Sequence, residues 1–230
     1  MSPSDEPRPD DPRARAAQTK RDRTRRALLD AADATFGSRG WARTRIEDIA
    51  AAAGVSAATA YNHFPSKHSL IGHVYAPLIG PLRVQAERDI AAGRPVVAAL
   101  EDQVRALART TSRHRELTAS FFSAVQDYTI RVEGPPDPDD EIDPRTVAPV
   151  PESVRLLIDH GQRTGELRPF PPATEISGMV VNLLLLRAVN RPREPADRRA
   201  EFLLTVLFGT LRPDLLLNGP ADCRPFRPHS

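Results

Sequence analysis

From about Lys20 the apolar positions fall into helical register. Leu28, Ala31, Ala32, Thr35 and Phe36 recur at three- and four-residue spacing, which places them on one helix face. Gly37 and Gly40 bracket the expected end of that helix. Thr44-Arg45-Ile46-Glu47 then has the spacing of a capping box, in which a hydroxyl and a carboxylate reciprocally satisfy free backbone N–H groups. It predicts a short helix with Ile46, Ile49, Ala50 and Ala53 on one side. Gly54-Val55 breaks that helix, and Ser56 caps another running through Phe64. Pro65-Ser66 stops this one and starts a fourth, from Lys67, with Leu70, Ile71 and Val74 inward. Gly80-Pro81 is expected to kink or interrupt it, because a proline removes a backbone donor and crowds the preceding turn.

The helical pattern continues to the end. Val97, Leu100, Val104 and Leu107 make one face, Leu117, Phe121, Val125 and Tyr128 a second, and Val150, Val154, Leu157 and Ile158 a third. Between the last two lies an acidic, proline-rich loop, Gly134 to Ala148, long enough to be mobile or functional. No alternating strand pattern and no internal repeat interrupts the series, so the fold class is all-α. Two final segments are more apolar than a single buried stripe requires: Ile176 to Val189 almost all round, and Phe202 to Leu211 over a wide arc. Such helices are buried on several sides. Either they form one deep core, or one face meets the core and the other a second subunit, with Gly178 and Gly209 allowing close approach.

Composition narrows the class only a little. Of 230 residues, 40% are apolar and 27% charged, ordinary proportions for a globular protein. The longest apolar runs fall short of the roughly 20 residues of a membrane span, and no basic-then-apolar leader opens the chain. The single cysteine, Cys223, excludes an internal disulfide framework. A cytoplasmic, nucleoid-associated protein is the resulting expectation.

Charge placement adds more than the net value of +2. Arg13, Arg15, Lys20, Arg21, Arg23, Arg25 and Arg26 lie within one stretch against a single acid, Asp22, whereas Glu133 to Asp143 holds six acids and no base. The basic stretch is either a solvated tail or the part that meets an anion, nucleic acid being the usual one. Met1 to about Thr19 carries almost no large apolar residue and is expected to be disordered when free.

The segment from Ile46 to Phe64 has the layout of a helix-turn-helix, whose second helix enters the DNA major groove. Small residues (Ala50, Ala53, Gly54) permit the two helices to cross closely, and Val55 plugs the gap. Ala57, Ala58, Thr59 and Asn62 on the second helix are short enough to lie against base edges. Tyr61, His63 and Lys67 are donors spaced to reach flanking phosphates. The helix start at Ser66-Lys67 adds N–H groups that favour an anion. The run from Ala50 to Lys67 resembles the DNA-binding signature of the tetracycline-repressor family. Leu28 to Phe36 and Gly40 to Ile49 fit the same pattern, so the likeness extends from Arg21 to Ile71.

That resemblance implies a three-helix DNA-binding domain with Ser56 to Phe64 as the reading helix. It also implies an all-α regulatory domain with a ligand pocket, and a homodimer through the last two helices, about 172–190 and 195–211. The DNA-facing set it implies is Thr44, Arg45, Ser56, Ala57, Ala58, Thr59, Tyr61, Asn62, His63 and Lys67. Two departures from the family pattern stand out. Arg45 occupies a position where threonine is usual, so Thr44 caps one residue earlier and leaves Arg45 for DNA. Ala60 is smaller than the usual apolar residue. The basic stretch at Arg21 to Arg26 either reaches into a minor groove or forms the surface of the first helix.

The expected organisation is an arm over 1–19, a DNA-binding domain over 20–66, a regulatory and dimerisation domain over 67–218 and a tail over 219–230. For the regulatory half the candidate pocket residues are Phe121, Phe122, Gln126, Tyr128, His160 and Asn182, aromatics with a few polar groups. Each aromatic is equally suited to the core. His63, His68 and His73 are five apart, which splays them around a helix and argues against a metal site; no cofactor is expected. Neither a phosphate-cradling glycine loop, a zinc-protease motif nor a nucleophile elbow is present, so an enzyme is not expected. The sequence therefore reads as a ligand-responsive DNA-binding regulator, with repression the commoner outcome in that family. An architectural DNA-binding protein without an inducer is the alternative.

Overall fold

The computed structural model describes residues 12–212. Among them lie ten helices and no strand: α1 (Pro12–Arg39), α2 (Ile46–Ala52), α3 (Ala57–His63), α4 (Lys67–Ala91), α5 (Val96–Arg113), α6 (Arg115–Val132), α7 (Pro144–Val147), α8 (Glu152–Thr164), α9 (Ala173–Asn190) and α10 (Ala196–Leu211). None is long and apolar enough to cross a membrane. Helices α1 to α3 pack as a head, and α4 runs from that head into the second layer, against α5, α6, α7 and α8. Buried residues from Leu28 to Leu211 form one continuous cluster that crosses from the head to the second layer.

Helix α1 starts at Pro12, inside the segment expected to be disordered. Proline is favoured at a first helical position, and Ala16 and Ala17 are strong helix formers. Gln18 Nε2 donates to Asp22 Oδ1 at 2.9 Å one turn on. The rest of the expected arm, 1–11, lies outside the described residues, as does the expected tail, 219–230. At the other end of α1, Gly40 N–H bonds to the Phe36 carbonyl at 3.0 Å. Gly37 lies within the helix rather than at its end.

The capping box is not made. Arg45 is the N-cap of α2 and its side chain caps nothing. Thr44 instead donates its hydroxyl to the Gly40 carbonyl at 2.8 Å, and its N–H bonds to the Trp41 carbonyl at 3.3 Å. The α1–α2 turn is tight enough to draw that hydroxyl back into itself.

Helix α4 runs unbroken through Pro77 and Pro81, correcting the expected interruption. Both prolines lie on its exposed side. The carbonyls of His73 and Pro77, which lose their helical donors, sit one turn before them and can be served by water there. On the buried side Gly72 is a notch: a Cβ there would stand 2.9 Å from Val147 Cβ, so α7 lies directly on α4.

The acidic loop is held down at several points. Asp143 caps α7 by accepting from Arg145 N–H at 2.7 Å. Arg145 pairs with the same carboxylate and donates to the Gly134 carbonyl at 2.9 Å. Tyr128 donates its hydroxyl to Asp140 at 2.6 Å, and Ser69 donates to the Glu141 carbonyl at 3.2 Å.

Helices α9 and α10 bury Val180, Val181, Leu184, Leu185, Leu203 and Leu207 against the core. Their other side leaves large apolar groups in the open, Leu186 at 42% and Phe202 at 41% exposure, with Met179 and Val189 beside Leu186 on α9.

Candidate nucleic-acid interface

The turn between α2 and α3 follows from its sequence. Gly54 takes φ +70°, left-handed backbone that suits glycine. Its N–H bonds to the Ala51 carbonyl at 3.1 Å, and Val55 N–H bonds to the Ala50 carbonyl at 2.9 Å. Ser56 then caps α3, its hydroxyl accepting from Thr59 N–H at 3.1 Å, as the sequence predicts. The Thr59 and Ser56 hydroxyls also share a hydrogen bond of 2.8 Å.

Ala60 and the following Phe64 are buried and seat α3 on the head. Ser56, Ala58, Tyr61 and Asn62 are exposed, with Ala57, Thr59 and His63 half-buried. The outer surface of α3 is therefore low and short at its start and carries its larger polar groups one turn later. Arg25 secures the end of α3: its guanidinium lies 4.4 Å over the Phe64 ring and donates to the His63 carbonyl at 3.3 Å. Lys20, Arg21, Arg23 and Arg26 lie along the same helix, α1, so this basic stretch is helix surface and not an unstructured arm. Burial holds His63 below the usual histidine range, and the charges of Arg21 and Arg25 lower it further. It presents a neutral ring at pH 7.

Three expected contact residues have other partners. Thr44 is 1% exposed and its hydroxyl is used inside the turn, so it does not face DNA. Lys67 donates from Nζ to the carbonyls of Trp41 at 3.0 Å and Thr44 at 3.1 Å, and its ammonium sits 3.8 Å over the Trp41 ring. Two of its three protons thus hold the α1–α2 turn against α4, and burial lowers its pKa. Tyr61 is 45% exposed, yet its hydroxyl donates to Glu47 Oε1 at 3.0 Å. Glu47 is held below the usual carboxylate range by its own backbone N–H and by that hydroxyl. The roles of Glu47 toward Tyr61 and of Arg25 toward His63 and Phe64 are not legible in the sequence. These partners lie 14 or more residues apart, and no spacing rule links them. Arg45 and Asn62 project outward, as expected.

The head is also tied to the second layer. His68 Nε2 meets Asp127 Oδ2 at 2.9 Å, and its ring lies between those of Trp41 (4.8 Å) and Tyr128 (5.2 Å). Burial outweighs the opposing pull of Asp127 and keeps His68 below its ordinary value, so this contact is a hydrogen bond of a neutral ring at pH 7. Ser120 adds a buried bond to the Phe36 carbonyl at 3.0 Å.

The six candidate pocket residues differ in setting. Phe121 is buried and stacks on Tyr75 at 4.2 Å, and Phe122 packs against the same core. Tyr128 is engaged with His68 and Asp140, His160 is half-buried on α8, and Gln126 and Asn182 are exposed. A cleft of about 180 Å³ lies elsewhere, between α4, α7 and α8, lined by Ala76, Ile79, Gly80, Val147, Val150 and Ser153 among others. Among the described residues no group of three or more His, Cys, Asp or Glu is placed to hold a metal ion.

Comparison with known proteins agrees with this geometry. Residues 28–74 match the family of bacterial regulatory proteins described as tetR. The chain is 34% identical over 104 residues to the HTH-type transcriptional repressor KstR2 of Rhodococcus jostii, covering 45% of this chain and 48% of that protein. It is 36% identical over 100 residues to the HTH-type transcriptional regulator BetI of Rhizobium meliloti, covering 44% and 47%. The matched region thus spans about half the length of these curated relatives. Over nearly the whole fold it is similar to the TetR-family transcriptional repressor FadR of Thermus thermophilus, solved with lauroyl-CoA. The TM-score there is 0.61 at 25% identity, over 90% of this chain and all of that one. The match to the tetR family falls on the head built on the Gly54 turn and the Ser56-capped α3, and the helical second layer is similar to that of FadR.

Proposed function

We propose that the protein is a ligand-responsive regulator that binds a palindromic operator as a homodimer and is released from it by a small molecule. The observation that carries this reading is the surface of α3. Its start is capped and low, its end carries Tyr61 and Asn62, and Arg21 and Arg25 of α1 lie near that end. Arg45, Ser56, Ala57, Ala58, Thr59, Tyr61, Asn62 and His63 are the proposed DNA-facing residues. Phosphate contacts from such a surface fix register, and contacts of α3 with base edges specify sequence.

The proposed dimer joins the open apolar sides of α9 and α10, around Leu186 and Phe202. An exposed patch of that kind on paired helices is suited to a twofold contact. The proposed ligand site is the cleft between α4, α7 and α8, because an occupant there would press on the helix that enters the head. FadR was solved with lauroyl-CoA, which supports a small molecule as effector here. A ligand preferring the non-binding arrangement by about 3 kcal/mol would weaken operator binding more than a hundredfold by linkage. Repression and a cytoplasmic location belong to the same proposal. The test is a footprint of the purified protein on DNA flanking its own gene at two salt concentrations. A protected near-palindrome whose occupancy falls steeply with salt is expected. Diffuse protection without a site there or in genome-wide occupancy would overturn the operator reading.

A further inference from the structure

We propose that Glu47 is a positioning residue that withholds the Tyr61 hydroxyl from DNA phosphate and so lowers the protein's affinity for any duplex lacking compensating base contacts. The inference rests on the reading of α3 as the DNA-facing helix. A phenol carries one proton, and that of Tyr61 is donated to Glu47 Oε1 at 3.0 Å across the groove between α2 and α3. Phosphate oxygens only accept. A phosphate reaching for Tyr61 therefore has to compete with the Glu47 carboxylate for the one hydrogen bond that proton can make.

The same approach sets phosphate and carboxylate side by side. Glu47 is exposed, and among the described residues the ion pairs of α2 and the turn before it involve Asp48 with Arg39, at 3.6 Å, and not Glu47. Its carboxylate stays ionised, since its own backbone N–H and the Tyr61 hydroxyl both lower its pKa. Like charges about 4 Å apart in water repel enough to change an equilibrium roughly fivefold. For two heads on one duplex the factors multiply to roughly 25-fold. Tyr61 thus has two settings, turned to Glu47 when free and turned to phosphate when bound. Phosphate contacts carry no sequence information, so the penalty falls equally on every duplex. Only a site offering good contacts to Ala58, Thr59 and Asn62 offsets it.

The experiment measures binding of a fluorescent random-sequence duplex of about 30 base pairs at about 50 mM salt, where backbone contacts dominate. The proteins are wild type, Glu47→Gln, Tyr61→Phe and the double variant, each checked for folding by circular dichroism. A carbon-13 NMR titration of the Tyr61 phenol runs alongside, free of DNA. Glu47→Gln is expected to tighten binding by more than the roughly fivefold that relief of repulsion alone gives. That gain is expected to shrink by about half or more when Tyr61→Phe is already present, where no phenolic proton remains to be freed. The Tyr61 phenol, raised by its bond to Glu47, is expected to titrate lower in Glu47→Gln. Equal gains in both backgrounds would overturn the proposal, because Glu47 would then only repel the duplex. An unchanged phenol titration with intact duplex binding would also overturn it, while leaving the DNA reading in place. Absence of wild-type binding to this duplex and to the flanking DNA would instead overturn the DNA reading, and this inference with it, even with the phenol shifted.

Discussion

Replacing Lys67 with methionine separates two roles for that side chain. In the structure its ammonium makes two charge-assisted hydrogen bonds, at 3.0 and 3.1 Å, and lies 3.8 Å over the Trp41 ring. Hydrogen bonds to charged groups contribute about 1.5–3 kcal/mol each, and the half-buried setting of Lys67 places them at the low end. The Trp41 carbonyl keeps a second donor, Thr44 N–H at 3.3 Å, which limits the penalty of losing one. A partly solvated cation over an aromatic face adds about 0.5–1 kcal/mol. Together these give a loss on the order of 3 kcal/mol for Lys67→Met, with the methylene packing kept. The assay is urea unfolding followed by far-ultraviolet circular dichroism, without DNA at pH 7. Lys67→Arg is expected to fall between, since a planar fork does not reproduce a point charge that reaches two carbonyls and a ring. A lysine serving only as a phosphate contact behaves differently. Its loss leaves stability within about 0.5 kcal/mol and lowers the salt slope of duplex binding by about one per head. That pair of results for Lys67→Met would refute the structural role.

Gly72→Ala pushes a Cβ to within 2.9 Å of Val147 Cβ, an atom too close to its backbone to swing aside. Overpacking of about 1–3 kcal/mol outweighs the helix-propensity gain of about 1 kcal/mol, so urea midpoints fall. In Gly80→Ala, where nothing stands within 4 Å, they are expected to rise slightly. His63, His68 and His73 all have pKa values held below 6.5 by burial. Their contribution to stability is therefore complete above pH 6.5. It is lost as pH falls through the unfolded value toward the depressed ones, because the unfolded chain takes up protons there that the folded one refuses. Unfolding midpoints between about pH 7.5 and 5.5 check this, and His68→Gln should flatten the fall. Leu186→Glu with Phe202→Glu places charges on the open apolar side of α9 and α10. Sedimentation equilibrium is expected to give a monomer for that variant and a dimer for wild type.

How far the sequence carries depends on whether a residue's partner is local. The Ser56 cap, the Gly54 turn and the Ser66 cap, which accepts from Ser69 N–H at 3.0 Å, each involve groups within a few positions, and all three were legible. The registers of α5, α6 and α8 were legible for the same reason, since periodicity is a local property. The partners of Thr44 and Lys67 were not legible because they depend on the path of the α1–α2 turn. A lysine at a helix start offers the same donors to phosphate or to carbonyls 23 and 26 residues back, and only the fold decides between them. Pro81 was misread because a break is expected from the lost hydrogen bond alone, whereas exposure of that face lets water take its place. The aromatic residues Phe121 and Tyr128 have the composition of a pocket. Their ring partners, Tyr75 for Phe121 and His68 for Tyr128, come from a distant helix and make them core and seam.

Trp41 is the only tryptophan in the chain, and it stands where the head meets the second layer, between Phe36, Lys67 and His68. All of the protein's indole emission therefore originates at this one junction. A nearby ammonium and an imidazole that quenches more strongly once protonated make that emission sensitive to small displacements. Any effector or duplex that shifts the head against α6 will register as a change in intrinsic fluorescence, so a search for the effector needs neither a label nor a known operator.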